Sequence, residues 1–419
     1  MSHQKTICLA IALTLFILLI ASCDTGREPV STPMQELVDT PQPTAALLPT
    51  STPILPTATN IPTIIPTNVE PLTRDIELIG HIGGEIPGFA VPTPDIYNAP
   101  GLAKDVIVEG KYAYVVQGAD GPAGTEWGRL SVVDISTPSA PSLIGFYTPE
   151  VIATNIVVVN KVAYLTDGQC EFGMATCWGN LYILDISDPT SLVQVGVYGL
   201  NNMQSEFPTD RSWFASGVAV SGDYAYVTGG PYHSNSGEEC GMSVVDISNA
   251  ISPTIAGVIR CGDVAWGGQS ITLQENYAYI AAGDEGLRII DISNPSGPKE
   301  VSHIEGIGRI WDVKIMGSYA YLAADDSGLQ IVDITNPSAL NLTATFKTAG
   351  RALRVNIANG YAYIAASDAG LRVIDISDPN NPTEVAYYET AGYVYSVSVM
   401  NGYIYVADGK EGLLILQFG

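Results

Sequence analysis

The chain has 419 residues, with 18 basic and 43 acidic side chains and a net charge of −25 at pH 7. Such an acidic chain argues against nucleic acid as a partner and against anionic membrane surfaces, because both require a basic surface. The length matches two or three ordinary domains, but a closed ring of repeats makes a single domain out of a chain this long.

Residues 1–22 have the pattern of a signal peptide. Lys5 precedes an apolar run, Ile7 to Ile20, that is short for a bilayer span. The next residues, Ile20-Ala21-Ser22-Cys23, resemble a bacterial lipobox, which implies cleavage before Cys23 and acylation of its sulfur. The alternative is a chance cysteine near an ordinary cleavage site. Since two or more acyl chains anchor a protein stably, we predict an extracytoplasmic bacterial lipoprotein on the membrane, at the cell surface or in the periplasm.

The segment that follows the lipidated cysteine, up to residue 73, is rich in threonine and proline. Residues 24–73 contain 11 Thr and 10 Pro and no periodic apolar pattern, so they cannot build a core. Closely spaced prolines favour an extended chain of ~3.1 Å per residue, or roughly 150 Å in all. We predict that residues 23–73 form a disordered stalk.

Residues 74–419 contain a sequence motif of the type Tyr-Ala-Tyr-Ile-Ala that repeats at a fixed spacing. It begins at residues 277, 319, 361 and 403, which are 42 apart, and looser copies begin at 112, 162 and 224. One copy, residues 350–388, contains four short β-type runs bounded by Gly, Asp, Asn or Pro. This period and these runs are typical of propeller blades. We therefore predict an all-β, seven-bladed β-propeller of four-stranded antiparallel blades.

The third run of each copy carries a second motif, as in Leu287-Arg-Ile-Ile-Asp-Ile-Ser293 and Leu371-Arg-Val-Ile-Asp-Ile-Ser377. With the tyrosine motifs, it resembles the LVIVD repeat family of bacterial and archaeal surface proteins over residues 76–419. The resemblance implies a propeller fold and a surface location, and no particular activity. The chain departs from the pattern at Asn249-Ala250, where the turn proline is missing, and in the last copy, Leu413 to Gln417, where the aspartate is missing.

The last copy ends after three strands, so its fourth strand must come from elsewhere in the chain. Residues 76–82, Ile-Glu-Leu-Ile-Gly-His-Ile, match the fourth strand Ser142 to Tyr147 and stand alone before the first full repeat. We predict that this N-terminal strand completes the last blade and closes the ring.

The loops between second and third strands are enlarged in the first three blades, as are the links that lead into the innermost strands of blades 1, 3 and 4. In a four-stranded meander both kinds of loop leave the same end of the blade, and loops so placed commonly carry function. Their aromatic residues include Trp127, Trp178 and Trp213. These side chains suit contacts with a sugar or a protein, and the alternative is that they cover the blade edges as a local core.

Four cysteines besides Cys23 belong to the mature chain. Cys240 opens a third strand and Cys261 closes the following fourth strand, while Cys170 and Cys177 share a loop. Outside the cytoplasm an even number predicts disulfides. We favour pairs 170–177 and 240–261 over a zinc site, whose usual spacings are absent.

The starts of the innermost strands should rim the central channel, and they include charged and aromatic residues. Arg309 and Arg351 are equivalent residues of neighbouring blades, and Trp311, Asp312 and Arg354 lie beside them. The arginines could receive a carboxylate, phosphate or sulfate group. The alternative is that they neutralise Asp312 and Asp105 as structural ion pairs.

An aspartate recurs near the end of six third strands, at residues 134, 185, 246, 291, 333 and 375. Six copies around a ring argue against catalysis and favour turn capping. Acidic loops such as Asp325-Asp-Ser-Gly328 lack the full spacing of a calcium loop. No cofactor motif or catalytic motif is present, so we predict no cofactor, no metal and no catalytic residue, and the alternative is calcium bound by these acidic loops.

Together these features predict a lipid-anchored, non-catalytic propeller that binds a protein or a glycan through its enlarged loops, as a monomer. The alternative is an extracellular hydrolase or lyase that uses Asp105 or Asp312 with the arginines at the channel mouth. The fold does not choose between the two.

Overall fold

The structure, a computed structural model, describes residues 75–83, 102–119, 127–149, 152–170, 177–200, 214–230, 240–261 and 268–419. The predicted signal peptide, Cys23 and the predicted stalk lie outside these ranges. The described residues form 28 β-strands. They include no helix that is long and apolar enough to cross a membrane.

Each blade is a meander of four antiparallel strands. The first strand of the chain is β1 (Ile76–Ile82). Blade 1 consists of β2 (Leu102–Glu109), β3 (Tyr112–Ala119), β4 (Trp127–Asp134) and β5 (Ser142–Tyr147). Blade 2 consists of β6 (Ala153–Val159), β7 (Val162–Cys170), β8 (Cys177–Asp185) and β9 (Val193–Gly199). Blade 3 consists of β10 (Phe214–Ser221), β11 (Tyr224–Gly230), β12 (Cys240–Asp246) and β13 (Thr254–Cys261).

The remaining blades repeat this order with shorter strands. Blade 4 consists of β14 (Ser270–Gln274), β15 (Tyr277–Ala281), β16 (Leu287–Asp291) and β17 (Lys299–Ile304). Blade 5 consists of β18 (Asp312–Met316), β19 (Tyr319–Ala323), β20 (Leu329–Asp333) and β21 (Asn341–Phe346). Blade 6 consists of β22 (Arg354–Ala358), β23 (Tyr361–Ala365), β24 (Leu371–Asp375) and β25 (Thr383–Tyr388). Blade 7 consists of β26 (Ser396–Met400), β27 (Tyr403–Ala407), β28 (Leu413–Phe418) and β1.

The seven sheets form a closed ring, as the repeat period predicts. The innermost strands contact one another in the order β2, β6, β10, β14, β18, β22 and β26, and β26 contacts β2 again. Between neighbouring blades, apolar side chains of the two facing sheets form a buried layer, such as Tyr321 and Ile331 of blade 5 against Val355 and Ile364 of blade 6. The strands are apolar on both faces because each sheet is covered on both faces.

The recurring aspartate caps the turn between third and fourth strands, which confirms the prediction from its repetition. Oδ1 of Asp134 accepts a hydrogen bond from the backbone N–H of Ser136 at 2.8 Å, and the five equivalent aspartates make the same bond at 2.8 or 2.9 Å. The side-chain and backbone hydrogen bonds of Ser136 lower the pKa of the Asp134 carboxyl. The carboxylates therefore stabilise turns on the exposed rim of the ring.

The ladders also place the four cysteines in opposed pairs. Cys170 lies opposite Cys177, and Cys240 lies opposite Cys261. Opposed residues of antiparallel strands have Cα atoms about 4.5 to 5.5 Å apart, within the range that a disulfide spans. Their side chains lie outside the described part of the structure, so the two disulfides stay a prediction.

The chain ends are joined in blade 7, where β1 pairs with β28. The ladder runs antiparallel from Ile76 opposite Phe418 to Ile82 opposite Leu413. At its bulge, Gly80 approaches blade 1 so closely that a Cβ there would lie 2.0 Å from the carbonyl oxygen of Pro138. Gly145 of blade 1 meets Pro189 of blade 2 in the same way, at 2.1 Å. This equivalence confirms that the N-terminal strand takes the place of a fourth strand.

Deleting residues 74–83 should leave β28 with an unpaired edge and uncover the apolar layer beside it. We expect aggregation or a large loss of thermal stability, because an unpaired apolar edge strand associates with other chains. Thermal unfolding followed by circular dichroism measures the effect. Deletion of residues 24–73 is the matched control and should leave the melting temperature unchanged. A chain without residues 74–83 that melts like the control would contradict closure by this strand.

Candidate functional site

Both kinds of loop named in the sequence analysis lie at one end of the blades. Asp325, in the turn after the second strand of blade 5, pairs with Ala352, which precedes the innermost strand of blade 6. Two backbone hydrogen bonds of 3.1 and 3.0 Å join them. Equivalent bridges join Gly283 to Ile310, Ser367 to Val394 and Ala103 to Gly409. We call this end of the ring, where second strands end and innermost strands begin, the loop face.

The hairpins of blades 1 to 3 extend beyond those of the other blades at the loop face. Their second strands have 8, 9 and 7 residues, against 5 in blades 4 to 7. At about 3.3 Å per residue, the extra residues lengthen the hairpins by roughly 7 to 13 Å. The enlarged loops predicted from the sequence therefore continue strands that are themselves longer.

The structure locates the backbone of two of the three predicted tryptophans. Trp127 opens β4 opposite Ala119, and Trp178 lies in β8 opposite Gln169, so both belong to the extended parts of their hairpins. Their side chains and the whole of Trp213 lie outside the described residues. Whether these rings contact a ligand or cover the blade edges stays a prediction.

Polar side chains at the starts of the innermost strands join neighbouring blades. Asp312 of blade 5 is 2% exposed. Its Oδ1 accepts a hydrogen bond from Ser270 of blade 4 at 2.5 Å, and its Oδ2 accepts one from the N–H of Val355 of blade 6 at 3.0 Å. Lys314 Nζ lies 3.6 Å from Oδ1. The carboxylate thus links three blades at once.

Asp105 of blade 1 makes a second joint of the same kind. It accepts hydrogen bonds from Ser396 of blade 7 at 2.7 Å and from Asn155 of blade 2 at 2.9 Å. Asn155 in turn accepts one from the N–H of Val218 of blade 3 at 3.2 Å. Both aspartates that the sequence offered as catalytic candidates therefore have their carboxylate oxygens engaged in holding blades together.

Arg351 and Arg354 bind partners other than the aspartates that the sequence suggested. Arg351 donates from Nε and Nη2 to the two oxygens of Asp325, the second bond measuring 3.1 Å. Arg354 donates to the carbonyl oxygen of Trp311 at 3.0 Å. Neither arginine neutralises Asp312 or Asp105, so that structural alternative is wrong for these two residues. The physical reason is that the bridge between Asp325 and Ala352 brings the Asp325 carboxylate next to Arg351.

The remaining predicted residues complete a half-buried cluster on the loop face, which we call the Arg–Trp cluster (Arg309, Trp311, Asp325, Arg351 and Arg354). The Arg309 guanidinium stacks on the Trp311 ring, 4.6 Å from its centroid. The Arg351 side chain is 43% exposed. The cluster combines a presented guanidinium with an aromatic ring, a combination suited to binding.

The electrostatics of the cluster keep both members of its ion pair charged. Burial acts to raise the pKa of Asp325, but hydrogen bonding from Arg351 and the positive charges of Arg351 and Arg309 outweigh it, so the pKa lies below its ordinary value. The hydrogen bond to Asp325 raises the pKa of Arg351. No group of three His, Cys, Asp or Glu side chains within the described ranges is arranged to hold a metal ion.

Sequence reasoning missed the role of Asp325, which it noted only as part of an acidic loop. The position of the cluster as a whole could have been found from the 42-residue period. This period places Arg309, Arg351 and Tyr393 at equivalent positions of three neighbouring blades. Tyr393 contacts Tyr395 with ring centroids 4.7 Å apart. The row of equivalent positions therefore continues the cluster into blade 7 with aromatic side chains.

Comparison with known proteins supports the repeat assignment and the fold. The model of the family described as "LVIVD repeat" matches residues 100–149, 174–199, 214–260, 267–305, 307–348, 349–390 and 391–417. No curated protein matches the chain. Of solved structures, 982 chains match. One is the crystal structure of the computationally designed Ika8 protein, at 11% identity and a TM-score of 0.50, over 82% of this chain and 99% of that chain. At this identity the likeness shows the fold alone.

The joint at Asp312 can be tested by Asp312→Ala. The substitution leaves the N–H of Val355 and the hydroxyl of Ser270 without their acceptor, so we expect the free energy of unfolding to fall by about 2 to 4 kcal/mol. Urea unfolding measures it. Asp326→Ala, at an exposed neighbouring turn residue, is the control and should change stability by less than about 0.5 kcal/mol. Equal stability of the two variants would contradict the joint.

Proposed function

Because this chain belongs to the LVIVD repeat family, we propose that it is a membrane-anchored β-propeller that binds a protein or a glycan on its loop face without catalysing a reaction. The acyl anchor on Cys23 holds it on the membrane, at the cell surface or in the periplasm. The threonine- and proline-rich stalk carries the propeller away from the membrane. The propeller itself acts as a rigid platform for the loops.

The observation that carries this proposal is the asymmetry of the ring. In blades 4 to 7 the loop between the second and third strands has five residues. These blades still pack against their neighbours and form backbone bridges with them. Blades 1 to 3 have longer hairpins and loops at this point, although the ring closes in blades 4 to 7 without them. Extensions that a scaffold does not need, gathered at one end of neighbouring blades, are typical of binding loops.

The chemistry of the loop face suits a partner that carries acidic or sulfated groups, or a sugar. The Arg351 side chain is 43% exposed and already binds Asp325, so an acidic group of the partner would add to that carboxylate or replace it. Trp311 adds an aromatic ring to the cluster. Guanidinium groups bind carboxylate and sulfate by paired hydrogen bonds, and aromatic rings pack against sugars and proteins.

The hydrolase or lyase alternative is less well supported by the geometry. It would use Asp105 or Asp312 as the reacting carboxylate. Both side chains are buried, and both accept hydrogen bonds from neighbouring blades. An acid or base catalyst must instead reach the proton that it transfers.

Anchoring can be tested by Cys23→Ala. Without the sulfur no acyl chain can be attached, so we expect the protein to leave the membrane fraction or to persist as an uncleaved precursor. Metabolic labelling with a fatty acid, followed by fractionation, measures this outcome. Cys240→Ala is the matched control and should keep both the label and the membrane location. Unchanged labelling of Cys23→Ala would refute the lipobox interpretation.

Binding on the loop face can be tested by shortening the second-to-third-strand loops of blades 1 to 3 to the pattern Ala324-Asp-Asp-Ser-Gly328. A glycan and polypeptide array first identifies a ligand for the intact protein. We expect the shortened protein to keep its melting temperature, because blades 4 to 7 already use such links, and to lose affinity for that ligand. Calorimetry measures both quantities.

The variants Arg309→Ala and Arg351→Ala are measured beside it and separate the loops from the Arg–Trp cluster. Loss of binding in both sets places the ligand across the loop face. Retained affinity after shortening, with loss in the arginine variants, would overturn the loops as the contact surface. A large fall in melting temperature with retained affinity would show that the loops only cover the blade edges.

A further inference from the structure

A cavity of about 280 Å³ lies at the seam where blade 7 meets blade 1. Ile82 and Leu413 line it from the blade 7 side, and Val115, Arg129 and Leu143 line it from the blade 1 side. Its volume is at the lower limit of small-ligand sites, which run from roughly 300 Å³ upward. The seam is the place where the two ends of the propeller meet, so an occupant would contact both.

The cavity contains a buried cation. Arg129 is 6% exposed, and its Nε–H has no hydrogen-bond acceptor, a feature that it shares with Arg288 and Arg372. The guanidinium stacks on the ring of Phe146, 4.2 Å from its centroid. Among the described residues no carboxylate pairs with it, and burial lowers its pKa. Burying a charge without a partner is costly, so an unpaired buried arginine beside a cavity indicates a missing anion.

Two other arginines of the third strands show how this protein normally treats a buried guanidinium. Arg288 is 5% exposed and binds both oxygens of Glu300 at 2.9 and 3.1 Å. Arg372 is 7% exposed and binds Glu384 at 3.3 Å. Each arginine carries its counter-ion on the neighbouring fourth strand.

Blade 1 has neither member of such a pair, because Ser131 stands at the position of Arg288 and Arg372 and Arg129 lies two residues before it. Glu300 lies opposite Ile290 in its ladder, and Glu384 lies opposite Ile374. The corresponding residue of blade 1, opposite Val133, is Leu143. An apolar side chain thus occupies the position of the glutamate, and it lines the cavity that Arg129 faces.

We propose that this seam cavity binds a small aliphatic monocarboxylate, with its carboxylate on Arg129 and its hydrocarbon part against Ile82, Leu143 and Leu413. One carboxylate supplies the one charge that the site lacks and can accept paired hydrogen bonds from the guanidinium. The largely apolar wall favours a hydrocarbon body. A multiply charged ion such as phosphate or sulfate would leave an unpaired negative charge buried there.

Because the walls belong to both blade 7 and blade 1, the ligand acts as a bridge across the non-covalent seam. It binds the closed ring and not the unfolded chain, so binding raises the apparent stability in proportion to ligand occupancy. The site lies beside the enlarged loop of blade 1, because Arg129 is two residues from Trp127. Shortening that loop to the blade 5 pattern also replaces Arg129, so the seam cavity is tested in the protein with its loops intact.

The test uses the whole protein with hexanoate as the probe, hexanamide as the neutral analogue, and sodium sulfate at matched ionic strength. We expect hexanoate to raise the melting temperature in a saturable way and to give a 1:1 isotherm in calorimetry. Hexanamide and sulfate should do neither. If hexanamide raised the melting temperature as much as hexanoate does, Arg129 would not be the binding group. If sulfate did so, the apolar wall would not contribute to binding.

Substitutions assign the effect to Arg129. In Arg129→Met the hexanoate effect should vanish, while the ligand-free protein melts no lower than the parent, because an unpaired buried charge is removed. Arg372→Met is the matched control: it should melt lower, since it strands Glu384, and should keep the hexanoate response. Arg129→Lys, which keeps the charge without the paired donors, should weaken binding by about tenfold or more. Unchanged hexanoate binding in Arg129→Met overturns the proposal.

Discussion

The pairing of β1 with β28 is the interaction on which the rest of the ring depends. In the other blades, neighbouring strands follow one another in the chain, whereas β1 and β28 come from its two ends and are held together only by non-covalent contacts. This pairing brings blade 7 against blade 1 and thereby sets the last interval of the ring. Ser396 can reach Asp105 across that interval at 2.7 Å only because the ring is closed. The seam cavity beside Arg129 exists for the same reason, since its walls come from both sides of the junction.

The sequence predicted the fold well because the features that specify a blade are local and repeated. The strand bounds of blade 6, the turn-capping aspartates and the closing strand follow from alternation, turn chemistry and a fixed period, all of which can be recognised within about 42 residues. These features do not depend on what lies across the ring. Their agreement with the structure is what a consistently patterned sequence leads one to expect.

The partners of the charged residues were harder to predict, because they are decided between blades. Asp325 meets Arg351 through a backbone bridge between blades 5 and 6, with Asp325 in a left-handed turn at φ 48°. Arg129 looks like any other arginine of a third strand until its neighbours are known. A signal for its isolation was present, since Arg129 lies two residues before the position of Arg372 and Leu143 stands where Glu384 stands in blade 6. It becomes visible only once the ladders give the register.

Near-identical repeats have a hazard of their own, since a chain built from them can assemble one repeat out of frame or exchange repeats with a second chain. The polar joints at the innermost strands are not repeated at every junction: Ser270 donates to Asp312 and Ser396 donates to Asp105, whereas Gly217 stands at the position of these serines in blade 3. An assembly that brought Asp312 beside Gly217 in place of Ser270 would leave its buried Oδ1 without the hydroxyl donor. The joints therefore disfavour some of the assemblies in which repeats stand out of order, although the repeats themselves are alike.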